Sequence, residues 1–255
     1  MPTISDTAIC LRTWDFSETS QTVSLLTREY GVVRGLAKGA KRDSGSFSGG
    51  FDPLTAGHIV AILKQGRDLA TLTEWALEWV CWSARSDLSS NKAALYVADL
   101  AQRMLQDHDP HPDVFDCVHG ALLALGETSP GAILLHYQWQ MLVAGGYRPQ
   151  LHTDVLTGGP LEEDQEAMGF SLAGGGTVAD TGGIDRVRVR METVALLRHL
   201  DGGGVVGDDR PVAVVDRANR LLAVYLRFVL GGESSAMRWA FSDLPGPETL
   251  AGRTT

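Results

Sequence analysis

Hydrophobic residues in the first 80 positions recur in short runs that are separated by turn residues. The runs are Ala8–Leu11, Val23–Thr27, Val32–Ala37, His58–Leu63 and Leu69–Thr73. The intervening turns are indicated at 15–20, 30–31, 38–50 and 64–67, where Gly, Ser, Asp and Lys are frequent. Five short strands at nearly even spacing are typical of a small β-barrel.

From about residue 75 the spacing of apolar residues lengthens to three or four, which is the period of an α-helix. Trp75, Trp79 and Trp82 follow this spacing and predict that a helix begins there. Further helices are predicted over 93–106, 114–125, 130–143, 191–200 and 216–230. Gly145 and Gly146 suit the C-terminal cap of the helix that precedes them.

Residues 147–186 are rich in Gly, Asp, Glu and Thr, and their apolar residues are scattered. This composition predicts an irregular module or a long loop. The predicted fold class is therefore α+β, with an all-α domain after the barrel. The predicted parts are an OB-like barrel at 1–80, a helical domain made of 81–146 and 187–245, the irregular module at 147–186, and a disordered tail at 246–255.

The composition of the 255 residues, with 44% hydrophobic and 21% charged, is ordinary for a globular protein. The absence of an apolar run of 18 residues argues against a membrane span, and the N-terminus does not read as a secretory leader. Three widely separated cysteines suit a reducing compartment better than a disulfide framework. The sequence thus favours a cytoplasmic protein that has no membrane partner.

A net charge of −9 argues against nucleic acid as a ligand, but the charge is unevenly distributed. The first 50 residues hold six Lys or Arg against five Asp or Glu, whereas the remaining segments are acidic. On the predicted third strand Arg34, Leu36 and Lys38 share one face, and Lys41 and Arg42 follow in a Gly- and Ser-rich loop. This stretch predicts phosphate contacts, although a solvated strand edge is the alternative.

Five segments in chain order carry a resemblance to a known family. They are Leu25–Gly31 with Leu11, Arg12 and 18–20 before it, the basic segment Val33–Arg42, Gly66–Glu74, Gly145–Pro149, and Leu222–Gly231. Together they resemble the RecO family of DNA-repair proteins. The resemblance implies a non-enzymatic recombination mediator that binds single- and double-stranded DNA through Arg34, Lys38, Lys41 and Arg42. It also implies that the protein anneals complementary strands, helps RecR load RecA onto strands coated by single-strand DNA-binding protein (SSB), and is associated with the nucleoid.

The module at 147–186 departs from the pattern of that family. Members often carry two Cys-x-x-Cys pairs there, and the four expected thiols fall on Asp154, Thr157, Ala179 and Gly182. Structural zinc needs about four sulfur or nitrogen ligands in a tetrahedral array. We therefore expect no zinc and no other cofactor in this chain.

A different class of function is suggested by Thr55-Ala56-Gly57-His58, which resembles the nucleotide-binding signature of adenylyltransferases. An adenylyltransferase-like enzyme is accordingly the alternative function, and a scaffold whose barrel contacts protein is another. Three predicted strands precede the segment, and the β-branched residues after His58 favour a strand where the enzyme has a helix. No catalytic residue is therefore assigned.

Two further clusters remain open. The segment 107–113 contains three Asp and two His and is either a cation site or a solvated loop between helices. Arg186, Arg188 and Arg190 alternate and are possible secondary DNA contacts. Neighbouring acids such as Asp185 and Glu192 make a surface ion-pair network equally consistent with that pattern.

Overall fold

The computed structural model describes residues 2–42, 45–63, 66, 69–162, 164–183, 185–242 and 244. The chain forms two compact units, Met1–Leu125 and Gly126–Thr255, so the boundary falls inside the segment that the sequence assigns to the helical domain. Of the predicted turn at 64–67 only Gly66 is described, and the predicted tail at 246–255 lies outside the described residues. In the described part of the chain, no helix combines the length and the apolar character needed to cross a membrane.

The first unit is built around a closed barrel of five strands, and all five predicted strands are confirmed. They are β1 (Thr3–Asp15), β2 (Gln21–Thr27), β3 (Gly31–Ala37), β4 (Thr55–Ile62) and β5 (Ala70–Val80). Their order around the barrel is β1-β2-β3-β5-β4, and β4 closes the ring by pairing with β1. All neighbours are antiparallel except β3 and β5, which pair in parallel.

The interior of the barrel is filled by apolar side chains from alternate positions of every strand. Trp75 is the largest of them and is fully buried. Its indole ring stacks on Phe51 at 4.9 Å between ring centroids. Phe47 lies next to Phe51, so two aromatic residues of the loop between β3 and β4 close one end of this core.

The helix predicted from Trp75, Trp79 and Trp82 is wrong, because these residues belong to β5 and the segment that follows it. Two bulges interrupt the pairing of β5 with β4, opposite the Val60–Ala61 and Ala56–Gly57 steps. A bulge inserts one extra residue and shifts the phase of the strand. Leu72 and Trp75 therefore both point into the core although they are three residues apart, which is the spacing that imitates a helix.

Three helices complete the first unit: α1 (Ser83–Ser86), α2 (Leu88–Met104) and α3 (Pro112–Ala124). Asp87 caps α2 by accepting a hydrogen bond from the backbone N–H of Ser90 at 2.7 Å, which lowers the pKa of its carboxyl. Helix α2 packs against β1. Ile9, Leu26 and Val32 form a row across the outside of β1, β2 and β3 and are fully buried, so this part of the outer barrel face is covered.

The second unit contains helices and a small sheet. Its elements are α4 (Pro130–Ala144), β6 (Ala167–Ser171), β7 (Gly176–Val178), β8 (Arg186–Arg190), α5 (Met191–Asp201), α6 (Val212–Val229) and α7 (Ser235–Ala240). Helices α4 and α6 pack together, and in their interface the Gln138 amide donates to Asn219 Oδ1 at 2.8 Å. Gly145 caps α4, and Gly146 adopts a φ of 79°, as the paired glycines predict.

The module at 147–186 is only partly irregular, because it contributes β6 and β7 and leads into β8. The three strands form an antiparallel sheet in the order β7-β6-β8. All five residues of β6 are buried, so the strand shows no polar–apolar alternation to reveal it. Gly169 in its centre has no space for a Cβ, which would meet the Asp180 carbonyl oxygen at 2.3 Å.

Candidate nucleic-acid interface

The four basic residues predicted to contact DNA occupy one end of β3 and the loop beyond it. Arg34 lies in β3 with an exposed side chain, and Val33 on the opposite face is in the barrel core. Lys38 follows the last residue of β3, and Lys41 and Arg42 lie in the next turn. All four residues are exposed. Arg34 therefore lies on the outer face of β3, as the alternation along the strand predicts, and the loop beyond β3 lies at the surface.

The loop that follows β3 and carries Lys38, Lys41 and Arg42, here called the basic loop, is held by hydrogen bonds to the loop between β1 and β2. The backbone N–H of Gly39 donates to the Ser20 hydroxyl at 3.1 Å, and the N–H of Lys41 donates to the Thr19 carbonyl at 3.1 Å. Gly39 itself has a φ of 72°, a conformation that glycine adopts without strain. These contacts fix the loop against the barrel, so its cations project from a defined surface.

Carboxylates of the first unit partly neutralise this surface. Arg34 pairs with Asp107 at 3.2 Å, and Lys41 pairs with Asp15. Lys38 and Arg42 have no carboxylate within 4.0 Å among the described residues. Exposed ion pairs contribute about 0–1 kcal/mol, so a phosphate can displace these carboxylates at little cost.

Three residues that sequence reasoning did not assign lie beside the basic loop. Arg12, Trp14 and Phe16, at the end of β1 and the start of the next loop, are all exposed. The guanidinium carbon of Arg12 lies 5.0 Å from the centroid of the Trp14 ring, within the range of a cation–π interaction. The alternation of Arg12 and Trp14 on a strand was the available signal for this cluster.

Three other aromatic residues that are near the basic loop in the sequence are placed differently. Phe47 and Phe51 are in the barrel core. Tyr30 is 37% exposed and follows β2, at the end of that strand away from Trp14. The accessible aromatic surface near the basic loop therefore comes from β1.

Arg28, a cation that precedes β3 in the chain, is engaged inside the first unit. Its guanidinium makes a two-pronged hydrogen bond to Asp116 of α3 and lies over the Phe115 ring at 5.8 Å. This hydrogen bonding holds the pKa of the Asp116 carboxyl below its usual range. Arg28 thus serves the packing of α3 and is less available to a ligand.

Arg186, Arg188 and Arg190 lie on β8 with one residue between each, as predicted, but they are not equivalent. The side chain of Arg186 is 15% exposed and pairs with Asp180, and Asp185 lies 3.9 Å from it. Arg188 and Arg190 are exposed and line an open cleft together with Glu166, Ala167 and Glu192. Arg190 lies 3.8 Å from Glu192, so this surface carries both signs of charge.

The carboxylates around Arg186 are held in their charged form by neighbouring donors. The pKa of Asp180 is lowered first by the backbone N–H of Gly182 and also by Arg186. The pKa of Asp185 is lowered chiefly by the Ser171 hydroxyl, which donates to it at 2.6 Å. Arg186 therefore belongs to an ion-pair network that supports the small sheet.

Three of the four positions at which the resemblance implies zinc ligands, Asp154, Thr157 and Ala179, are joined by hydrogen bonds. Asp154 Oδ1 accepts from the N–H groups of Leu156 at 2.9 Å and Thr157 at 3.0 Å, and Oδ2 accepts from the N–H of Ala179 at 2.9 Å. These bonds, that from Ala179 foremost, hold the pKa of Asp154 low. Since the only ionisable side chain of the four is already occupied, Asp154, Thr157, Ala179 and Gly182 do not fit a zinc ion.

The segment that resembles an adenylyltransferase signature lies in β4. His58 is paired with Thr7 of β1, and its Nε2 atom lies 2.7 Å from the Ser5 hydroxyl. A Cβ at Gly57 would meet the Ala76 carbonyl oxygen at 2.2 Å, so this glycine allows close strand pairing. The strand interpretation of the segment is confirmed, and His58 does not open a helix.

Residues 107–111 lie in the connection between α2 and α3, as the loop interpretation predicts, whereas Pro112 and Asp113 begin α3. Asp107 pairs with Arg34, and the N–H of His108 donates to the Val32 carbonyl at 3.0 Å. His111 pairs with Asp109 at 3.1 Å. Within the described ranges, His, Cys, Asp and Glu form no group of three that could hold a metal ion.

Comparison with known proteins places these features in a family context. The model "Recombination protein O N terminal" matches residues 1–78, and "Recombination protein O C terminal" matches residues 85–236. The chain is similar to the DNA repair protein RecO of Anaeromyxobacter dehalogenans, with 30% identity over 254 residues that cover 97% of this chain and 98% of that protein.

Other relatives carry the same name. RecO of a Nocardioides species is 31% identical over 231 residues, or 88% of this chain and 93% of that protein. RecO of Rhodopirellula baltica is 37% identical over 174 residues, which cover 68% of this chain and 64% of that protein. The last match thus spans less than two thirds of its relative, whereas the others run nearly from end to end.

Proposed function

We propose that this chain, which belongs to the recombination protein O (RecO) family, binds DNA through its N-terminal barrel and acts as a recombination mediator in DNA repair. The observation that carries the proposal is the exposed basic surface at the end of β3, where Lys38 and Arg42 have no carboxylate within 4.0 Å among the described residues. The relatives are named DNA repair proteins. A barrel with the strand order β1-β2-β3-β5-β4 suits the OB type, which binds oligonucleotides on a strand face and its loops.

Arg34, Lys38, Lys41 and Arg42 contact the DNA backbone in this proposal. Phosphates are recognised by cations at intervals, without reading of bases, and each neutralised phosphate releases counterions. Affinity of this kind suits a protein that must act on any sequence. Arg188 and Arg190 are a weaker secondary contact, because Glu166 and Glu192 share their surface.

The finer steps follow the family. The chain binds single- and double-stranded DNA, anneals complementary strands, and works with RecR to load RecA onto strands coated by SSB. It acts without a cofactor in the cytoplasm, close to the nucleoid. The acidic remainder of the chain, which gives a net charge of −9, limits trapping on bulk DNA. Neutralising acidic residues of the helices should then raise non-specific DNA affinity, and an unchanged affinity would count against this role.

The test is the binding of labelled single-stranded DNA over a series of salt concentrations. The variant Lys38→Ala/Lys41→Ala/Arg42→Ala should bind more weakly, and the slope of log K against log salt should become shallower by roughly 0.7 for each lost phosphate contact. Arg28→Ala is the matched control, since this cation of the same unit pairs with Asp116. An unchanged affinity of the triple variant would reject the assigned surface.

A further inference from the structure

The exposed aromatic residues beside the basic loop are not explained by phosphate binding. Trp14 is 41% exposed and Phe16 is 62% exposed. Together with Arg12, whose guanidinium lies over the Trp14 ring, we call them the aromatic platform. Leaving large ring faces in water forgoes the gain from burial, so a cluster of this kind indicates a surface that a ligand covers.

The strand register places the platform and the basic residues on one face of the barrel. Directly paired residues of antiparallel strands point to the same side of a sheet. Two rows therefore cross β1, β2 and β3 on the outer face: Arg12–Ser24–Arg34 and Trp14–Thr22–Leu36. Along each strand the two rows are two residues apart, or about 7 Å. The Trp14 ring and the guanidinium groups of Arg12 and Arg34 thus project from the same face of the barrel, with Ser24 buried between the two arginines.

The loops extend this surface beyond the strands. Phe16 begins the loop between β1 and β2, and the same loop accepts the hydrogen bonds that hold Gly39 and Lys41. Lys41 also pairs with Asp15, the residue between Trp14 and Phe16. Residues about 25 positions apart in the chain are therefore brought together, and cations border the rings.

We propose that Trp14 and Phe16 stack on unpaired bases while the neighbouring cations bind the phosphates, so that this face takes single-stranded DNA in preference to duplex. The inference rests on the proposed function and names the form of DNA that the same surface binds. In a duplex the faces of the bases are covered by their neighbours, and only an unpaired strand can offer them to a ring. A cationic groove combined with exposed rings is the combination that sequence-tolerant binding of single strands uses.

The experiment compares three labelled probes of equal length: a thymidine oligonucleotide, a strand of the same backbone without bases, and a duplex. The variant Trp14→Ala/Phe16→Ala should lose about tenfold or more in affinity for the thymidine oligonucleotide. Its affinity for the base-free strand and for the duplex should stay unchanged. Its salt slope should also stay unchanged, because stacking neutralises no phosphate.

Tyr30→Ala is the matched control, because this aromatic residue is 37% exposed in the same unit but lies at the other end of β2. It should leave all three affinities unchanged. A second variant, Trp14→Leu/Phe16→Leu, keeps apolar bulk without a ring and should show the same loss of affinity. It replaces the alanine variant if that variant does not fold. Trp14→Phe/Phe16→Tyr keeps both rings and should retain binding.

The outcomes separate this inference from the proposed function. If the ring-free variants bind the thymidine oligonucleotide like the wild type while Lys38→Ala/Lys41→Ala/Arg42→Ala binds it weakly, stacking is wrong and DNA binding stands. Equal affinity of the wild type for the thymidine and base-free strands also overturns the stacking. If the wild type binds none of the three probes, the proposed function fails as well.

Discussion

Strand β3 of the barrel and strand β8 of the small sheet both carry basic residues at alternate positions, but their surroundings differ. Beside β3, Lys38 and Arg42 have no carboxylate within 4.0 Å in the described part of the chain, and Lys41 pairs with Asp15, which lies between the exposed Trp14 and Phe16. In β8, Arg186 is drawn into an ion-pair network with Asp180 and Asp185, and Arg190 lies near Glu192. The same local pattern thus leaves cations without a close carboxylate in one unit and produces an ion-pair network in the other, among the described residues.

The two sheets are also stabilised by different means. The barrel closes on itself around an apolar core in which Trp75 stacks on Phe51. The three-stranded sheet is open and adjoins a turn that is tied together by the Asp154 carboxylate. Short strands are marginally stable on their own, so the hydrogen bonds of Asp154, which we call the polar junction, support this sheet.

The largest expected effect is on the barrel core. Trp75→Ala should lower the free energy of unfolding of the first unit by about 3–5 kcal/mol, because it empties a fully buried site. Urea unfolding followed by circular dichroism measures this. Trp82→Ala is the control, since Trp82 is 70% exposed, and it should change stability by about 0.5 kcal/mol or less. Equal costs for both substitutions would show that Trp75 is not a core residue.

Asp154→Asn tests the polar junction of the small sheet. The amide is a weaker acceptor for the three backbone N–H groups, so the melting temperature of the second unit should fall by roughly 5 °C at pH 7. Asp164→Asn, at an exposed position of the same module, is the control and should leave the melting temperature unchanged. A wild-type melting temperature in Asp154→Asn would show that these hydrogen bonds do not stabilise the sheet.

The stability difference between wild type and Asp154→Asn depends on pH, and the lowered pKa of Asp154 determines the direction of that dependence. A carboxyl whose folded pKa lies below its unfolded value of about 4 stabilises the fold above that pH. The contribution is lost as the pH falls through the folded pKa. The difference in stability between wild type and Asp154→Asn should therefore be constant near neutral pH and shrink below about pH 4; a difference that grows on acidification would contradict the assignment.

The two basic strands can be compared directly through two double variants, Arg34→Ala/Lys38→Ala and Arg188→Ala/Arg190→Ala. We expect the first pair to lower affinity for single-stranded DNA roughly three- to tenfold and the second roughly twofold, since Glu166 and Glu192 already offset the charge of β8. Fluorescence anisotropy at about 0.1 M salt measures both. Equal losses of affinity would show that β8 contacts DNA as strongly as β3 does.

The smallest expected effect comes from releasing Arg34. Asp107→Asn removes the carboxylate that pairs with it at 3.2 Å and should raise DNA affinity about twofold at low salt. The gain should vanish at high salt because exposed charges are screened. Asp113→Asn, an acid in the first turn of α3, is the control and should leave DNA affinity unchanged. A loss of affinity in Asp107→Asn would mean that Asp107 positions Arg34 for the ligand.

Local sequence patterns were sufficient for the five barrel strands, for helices α2 to α6 within a few residues of their ends, and for the exposure of the basic loop. These features depend on a few neighbouring residues, because the period of apolar positions and the Gly-rich turns act over short distances. The paired glycines after α4 are a clear case. The departure at Asp154 from the zinc-ligand pattern was likewise legible in the sequence.

Long-range contacts were needed for the rest. The bulges that place Trp75 in the barrel arise from pairing with β4, and the burial of β6 arises from packing on both of its faces. The pairing of Arg34 with Asp107, of Arg186 with Asp180, and the approach of the basic loop to Trp14 and Phe16 all depend on how the chain closes on itself. A charge pattern shows which cations exist, but their partners are set by which residues the fold brings within a few ångströms.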